Sequence, residues 1–149
     1  MISVDRAGPA DLDVLAVLFD AYRRFYRQPA DIEGARAFLR ERLENDESVI
    51  FVARLDGEPV GFTQLYPLFS SVRMRRTWLL NDLYVAESAR RHGVASALLD
   101  AARHHGNATG AHELTLQTGR DNKTAQAAYR KNGWIRQDAF YWYGFELES

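Results

Sequence analysis

Between Leu83 and Leu99 the chain reads LYVAESARRHGVASALL. A β-rich run ends there, a short arm carries Arg90, Arg91, His92 and Gly93, and a helical pattern begins at Val94. The first amides of a helix have no partner inside it, and the dipole places roughly half a positive charge at that end. Such a terminus takes up phosphate, the more so where a glycine admits the ligand close to the main chain and two arginines add charge. A second group lies downstream in DNKTAQAAYRKNGW, Asp121 to Trp134. There Asp121 or Asn122 can cap a helix that carries Ala125, Tyr129 and Lys131 and closes at Gly133. Upstream of both, Asn81 and Asp82 interrupt the otherwise apolar run Thr77 to Val85 (TWLLNDLYV). Strand alternation sends neighbouring side chains to opposite faces, so only a bulge would bring Asn81 and Asp82 together.

Other phosphate and nucleophile chemistries lack their residues. No G-x-G-x-x-G follows a strand, and no glycine-rich loop ends in Gly-Lys-Ser or Gly-Lys-Thr. His92, His104, His105 and His112 miss the H-E-x-x-H spacing, and no G-x-S-x-G elbow presents a serine. The chain has no cysteine, which excludes disulfides, thiolate metal sites and a cysteine nucleophile. No metal site is expected. His92 is expected to be a solvated loop residue that lends only its backbone amide. Tyr129, one turn beyond Ala125, fits a core position as well as a proton donor on the residues alone.

The elements that must position these groups are legible in outline. Met1 to Arg6 predicts a strand, and apolar residues at helical spacing predict helices over Pro9 to Tyr26 and Asp31 to Glu44, with Asp31 as a cap. Ser48 to Leu55 and Pro59 to Leu68 flank Asp56-Gly57, a hairpin signal because that pair accepts positive φ. Thr77 to Val85 predicts a strand buried on both faces, Val94 to His105 a helix and Glu113 to Thr118 another strand. The aromatic run Phe140 to Leu147 (FYWYGFEL) predicts a closing strand with aromatic residues on both faces.

At 149 residues the chain fits a single domain, 1–149, with no linker or repeat. Net charge is −1, which gives no electrostatic footprint for nucleic acid. Acidic residues near the start do not suit a signal peptide, and no apolar run approaches the ~20 residues of a membrane span. A cytoplasmic protein without membrane or nucleic-acid partners is expected.

Arg90-x-x-Gly93-x-Ala95, after the strand LNDLYV, resembles the acetyl-coenzyme A signature of the GNAT superfamily of N-acetyltransferases, Gln/Arg-x-x-Gly-x-Gly/Ala. Asp121 to Trp134 is similar to the second signature of that family, and the likeness extends over nearly the whole chain. It implies an α/β (α+β) fold with a mixed, mostly antiparallel central sheet flanked by about four helices. It also implies an acetyl-coenzyme A-dependent enzyme. Main-chain groups of Leu83, Tyr84 and Val85 would hold the pantetheine arm, and amides from Arg91 through His92, Gly93, Val94 and Ala95 to Ser96 the pyrophosphate. Asn122, beside the small Ala125, would bond the coenzyme near its pantetheine end. Tyr129 would meet the departing thiolate, and Lys131 would touch phosphates.

Without cysteine, the amine is expected to attack the thioester directly in a ternary complex. The likeness is greatest to the branch that acetylates histones and polyamines, which implies a small cationic amine or a lysine side chain as acceptor. Where that branch has a glutamate this chain has Asn81, which is no base, so Asn81 with a water, Asp82 or Glu113 must serve. Tyr22, Tyr26, Tyr66 and Phe69 would line the acceptor cleft or pack between helix and sheet. A coenzyme A-binding sensor or subunit without turnover is the alternative. A homodimer joined partly through the aromatic run is expected, because a strand apolar on both faces needs a second cover.

Overall fold

The computed structural model describes residues 1–148 and divides into two compact units, Met1–Gln117 and Thr118–Ser149. In the first unit β1 is Ile2–Arg6, α1 is Leu12–Phe25, α2 is Ile32–Glu44, β2 is Val49–Leu55 and β3 is Glu58–Ser70. They are followed by β4 (Arg75–Val85), α3 (Val94–Ala108) and the two-residue β5, Leu114–Thr115. The second unit contains α4, Lys123–Lys131. The sheet runs β1-β2-β3-β4-β5, antiparallel throughout except for the parallel β4–β5 pair. With its four helices this is the mixed, mostly antiparallel architecture expected.

Alternation along β2 explains how the sheet is covered. Ile50 and Val52 lie with Phe62 against Leu15, Leu18 and Phe19 of α1 and Ala35 and Leu39 of α2. Ala53 and Val60 meet Val94 and Leu98 of α3 on the other face. Each of the Leu, Ile, Val and Phe side chains among these, once buried, contributes about 1.5–3 kcal/mol before the entropy of ordering is subtracted. The expected Asp31 cap is present, its carboxylate accepting from the Gly34 amide at 2.9 Å. In the β2–β3 turn Asp56 and Gly57 both have positive φ, 51° and 86°, the handedness that matches strand twist.

Two expected strands differ. The one predicted over Glu113 to Thr118 shortens to Leu114–Thr115, paired with Trp78 and Leu79. The aromatic run Phe140 to Leu147 forms no strand, and its large side chains are exposed. Aromatic β propensity records how side chains fit a pleated surface, and it makes no ladder without main-chain partners. In the same unit α4 starts and stops where expected. The Asn122 side chain accepts from the Ala125 amide at 3.2 Å. The amides of Gly133 and Trp134 return to the carbonyls of Arg130 and Tyr129, the pairing that ends a helix on a left-handed residue.

Candidate active site

The phosphate arm owes its shape to two residues of reversed hand. Arg91 has φ 68° and Gly93 φ 84°, with His92 between them on the ordinary side. Alternation of this kind turns successive N–H groups into one concavity, a form that binds anions. Gly93 is the N-cap of α3, and among the described residues no side chain makes a cap hydrogen bond there, which leaves that role for the first-turn amides open to a ligand. Arg90 braces the arm: its Nε donates to the Val85 carbonyl at 3.1 Å, and its guanidinium lies 5.7 Å from the Phe25 ring centroid. His92 is exposed and its Nδ1 lies 2.9 Å from the Arg90 carbonyl, so its ring supports the loop.

Next to the arm, β4 offers main chain. β5 pairs only with Trp78 and Leu79, so among the described residues β4 from Leu80 to Val85 has a strand on the β3 side alone. Leu83, Tyr84 and Val85 belong to this one-sided stretch, where an extended ligand can add as a further strand.

The bulge that would reunite Asn81 and Asp82 is present. Gln64 pairs with Asp82 and Leu65 with Leu80, leaving Asn81 without an opposite residue. The slip reverses the parity of the strand. Before it, Trp78 faces α3, where its Nε1 donates to Thr109 Oγ1 at 2.9 Å. After it, Leu83 and Val85 face α3 instead, and Tyr84 packs under α1. Asp82 therefore lies on the α1 face, 5 % exposed, where regular alternation would have turned it toward α3.

Three donors meet this carboxylate. Gln64 Nε2 is 2.7 Å from Oδ2, Asn81 Nδ2 is 3.1 Å from Oδ1, and Tyr22 of α1 adds a side-chain hydrogen bond. Thr63 Oγ1 donates to the Asp82 carbonyl at 2.8 Å, pinning the bulge itself. Burial pushes the Asp82 carboxyl above its ordinary range, and the three hydrogen bonds oppose the shift. The Tyr66 hydroxyl is pushed up to about 12 by burial and then by the charge of Asp82. A buried carboxylate of raised basicity is suited to taking a proton.

Of the expected aromatic lining, Tyr22 stacks edge to face with Tyr26 at 5.1 Å and lies 6.2 Å from Tyr84. Phe69 is elsewhere, opposite Arg76 in the β3–β4 ladder and under its guanidinium. Glu113 is exposed, its carbonyl taking the Trp78 amide. Sequence reasoning did not single out Gln64 or Thr63. Their signal was two polar residues within an apolar strand.

In the second unit Tyr129 is half-buried, 6.1 Å from the Trp134 ring. Asn122 Oδ1 is engaged as the helix cap, Ala125 supplies the amide it caps, and Lys131 is exposed in the last turn. Among the described residues no three His, Asp or Glu side chains converge as metal ligands, and no helix is long and apolar enough to cross a membrane.

The model of the acetyltransferase (GNAT) family matches residues 15–134. The chain belongs to this family. It is 47 % identical over 142 residues to the uncharacterized N-acetyltransferase YhfO of Bacillus subtilis (strain 168), covering 95 % of each chain. A solved structure of a probable acetyltransferase superposes with a TM-score of 0.93 at 41 % identity, covering 99 % of each chain. The aminoglycoside N(6')-acetyltransferase type 1 of Klebsiella aerogenes is 31 % identical over 98 residues, 64 % of each chain. The protein is thus an acetyl-coenzyme A-dependent acetyltransferase of the GNAT family.

For such an enzyme Tyr129→Phe separates catalysis from packing, since the ring is kept and only the hydroxyl is lost. We expect unchanged coenzyme affinity and turnover lowered about a hundredfold, the low end of general-acid contributions. A stopped-flow rate equal to wild type, with chemistry limiting, would make Tyr129 a packing residue.

Proposed function

We propose that this enzyme transfers acetyl from acetyl-coenzyme A to a primary amine of a small cationic acceptor, by direct attack in a ternary complex. The observation that carries the reading is the buried Asp82 carboxylate, turned by the bulge onto the α1 face of the strand that also presents the one-sided edge and leads into the arm. The uncapped amides and the left-handed Arg91 and Gly93 suit the coenzyme's pyrophosphate, and the β4 edge at Leu83 to Val85 suits its pantetheine. When bound, the coenzyme supplies an activated acyl group.

The chain's residues then prepare the amine. A lysine-like ammonium has a pKa near ~10.4, so presenting it neutral at pH 7 costs about 4–5 kcal/mol. Asp82 receives the cation as a carboxylate and takes its proton as a base. Asn81, no base itself, orients Asp82 through its Nδ2 bond. The rings of Tyr22, Tyr26 and Tyr84 give the cation π faces beside that charge. The amine nitrogen bonds the carbonyl carbon as its C–S bond breaks, and Tyr129 gives its hydroxyl proton to the departing thiolate. The second proton shed by the nitrogen restores the hydroxyl through solvent.

Polyamines and lysine side chains fit these features, as do aminoglycosides, the substrate class in the name of the Klebsiella relative. All present an ammonium group among other cations or hydroxyls. The test is thiol release from acetyl-coenzyme A across polyamines, lysine peptides and aminoglycosides. Amine-dependent release supports the reading. Coenzyme binding without release above hydrolysis for any amine would favour a sensor or subunit instead.

The reading places the enzyme in the cytoplasm as a homodimer. Support for the dimer is the run Phe140, Tyr141, Trp142, Tyr143, Phe145 and Leu147, each at least 80 % exposed, which exceeds what isolated surface apolar residues explain. Light scattering at micromolar concentration should give twice the mass of one chain. A monomer mass, with Trp142 fluorescence unchanged on dilution, would defeat it.

A further inference from the structure

At the other end of α3 from the arm lies a cleft of about 190 Å³ that the acetyl-transfer site does not use. At 1.5 Å per residue, the 15 residues of α3 separate the two by roughly 20 Å. Its walls come from a single row across the sheet. Arg6 ends β1, Ser48 precedes β2 and Trp78 begins the inner part of β4, with Arg76 two residues earlier. His105, from the last turns of α3, and Asp46, from the turn after α2, line it as well.

Four features of this cleft point to one kind of ligand. Ser48 is 5 % exposed, and its hydroxyl is buried without a hydrogen-bond partner. His105 Nε2 is likewise buried and unpartnered, while its ring is fixed between Trp78, at 4.8 Å, and Phe51, at 5.9 Å. A buried polar atom without a partner is costly, and native structures tolerate few of them. Neither Arg6 nor Arg76 forms an ion pair among the described residues, although nine such pairs occur elsewhere. The Arg76 guanidinium carbon lies 4.8 and 5.0 Å from the ring centroids of Phe69 and Trp78, cation–π contacts that restrict the positions open to the side chain.

We propose that this cleft is a binding site for a small oxyanion, received by the guanidiniums of Arg6 and Arg76, the hydroxyl of Ser48 and Nε2–H of His105. Arginine forks match the planar oxygens of a carboxylate and the tetrahedral oxygens of a phosphate alike, and both ring and hydroxyl donors fit either. The volume exceeds several times the ~30 Å³ that one water occupies, enough for an anion of a few heavy atoms. The charges facing His105 agree. Burial first, and then Arg6 and Arg76, hold its pKa below the usual value, and among the residues lining the cleft Asp46 is the one carboxylate. An anion would complete the set.

The experiment uses the full chain saturated with coenzyme A, so that the phosphate arm is already filled and the outcome does not depend on the acceptor. Acetate and inorganic phosphate are titrated separately at constant ionic strength, with the His105 ring resonances followed by NMR and heats by calorimetry. We expect a saturable shift of the His105 signals with at least one probe, and the stronger of the two names carboxylate or phosphate as the preferred chemistry. Ser48→Ala and Arg76→Gln should each weaken binding about tenfold. Neither substitution touches the acetyl-transfer site, and amine-dependent turnover should stay at the wild-type rate. No saturable shift with either probe, or equal affinity in wild type and both variants, would overturn the proposal.

Discussion

Asp82→Asn is expected to slow acetyl transfer by roughly 10²- to 10⁴-fold, the contribution of a positioned general base, with acetyl-coenzyme A affinity unchanged. The replacement keeps the size of the side chain and one acceptor oxygen, but it cannot take a proton or neutralise an ammonium. Its new N–H group has a partner at hand, since Gln64 Oε1 is buried and unpaired and a turn of the Gln64 amide brings that oxygen forward. The turn buries the Gln64 NH2 group in place of that oxygen, so stability should fall by about 1–3 kcal/mol, the cost of one buried donor without a partner. Acidity gives a second check. Burial raises the folded pKa of Asp82, so in the window between the ordinary carboxylate value and the raised one the folded state binds more protons than the unfolded. The contribution of this group to stability must then fall as pH rises through that window, and the variant should lack that component. In wild type kcat/KM should fall as pH drops through the raised pKa. Wild-type turnover in the variant would remove Asp82 from the mechanism.

Gly93→Glu should cut acetyl-coenzyme A affinity by roughly 10²- to 10⁴-fold, equivalent to losing two charge-assisted hydrogen bonds to phosphate. Two effects act together. At φ 84° any side chain strains the backbone, and relief of that strain moves the arm, although a Cβ there would meet nothing nearer than Ile2 Cδ1 at 3.8 Å. The carboxylate also places a negative charge at the helix end that would receive phosphate. Gly93→Ala supplies the strain without the charge and should lie between wild type and glutamate. Calorimetric titration with acetyl-coenzyme A measures all three, and equal affinities would remove the arm from the coenzyme site. Circular dichroism guards against unfolding.

Most of what positions the site was legible because it is local. The strand-arm-helix sequence from Leu83, the Asp56-Gly57 turn, the Asp31 and Asn122 caps and the Gly133 stop each depend on residues within a few positions of one another. The bulge at Asn81 was not, because nothing in TWLLNDLYV states which residue loses its partner. That is decided by register against β3, where Gln64 reaches Asp82 and Thr63 bonds its carbonyl. The same limit separated Phe69 from Tyr22 and Tyr26. All were expected to line one acceptor cleft, whereas the β3–β4 ladder sets Phe69 opposite Arg76. The run Phe140 to Leu147 misled for a related reason, since its composition speaks of a pleated surface and not of a partner.

Acetyl transfer to an amine by direct attack is the claim on which the rest stands, and mass spectrometry of both acceptor and protein during turnover tests it most directly. With acetyl-coenzyme A in excess and an amine that elicits thiol release, the account predicts one acetyl group on the amine for each thiol freed and none on the protein at any time in the reaction. Thiol release without an acetylated amine, or an acetylated chain that forms and decays at the turnover rate, would contradict it.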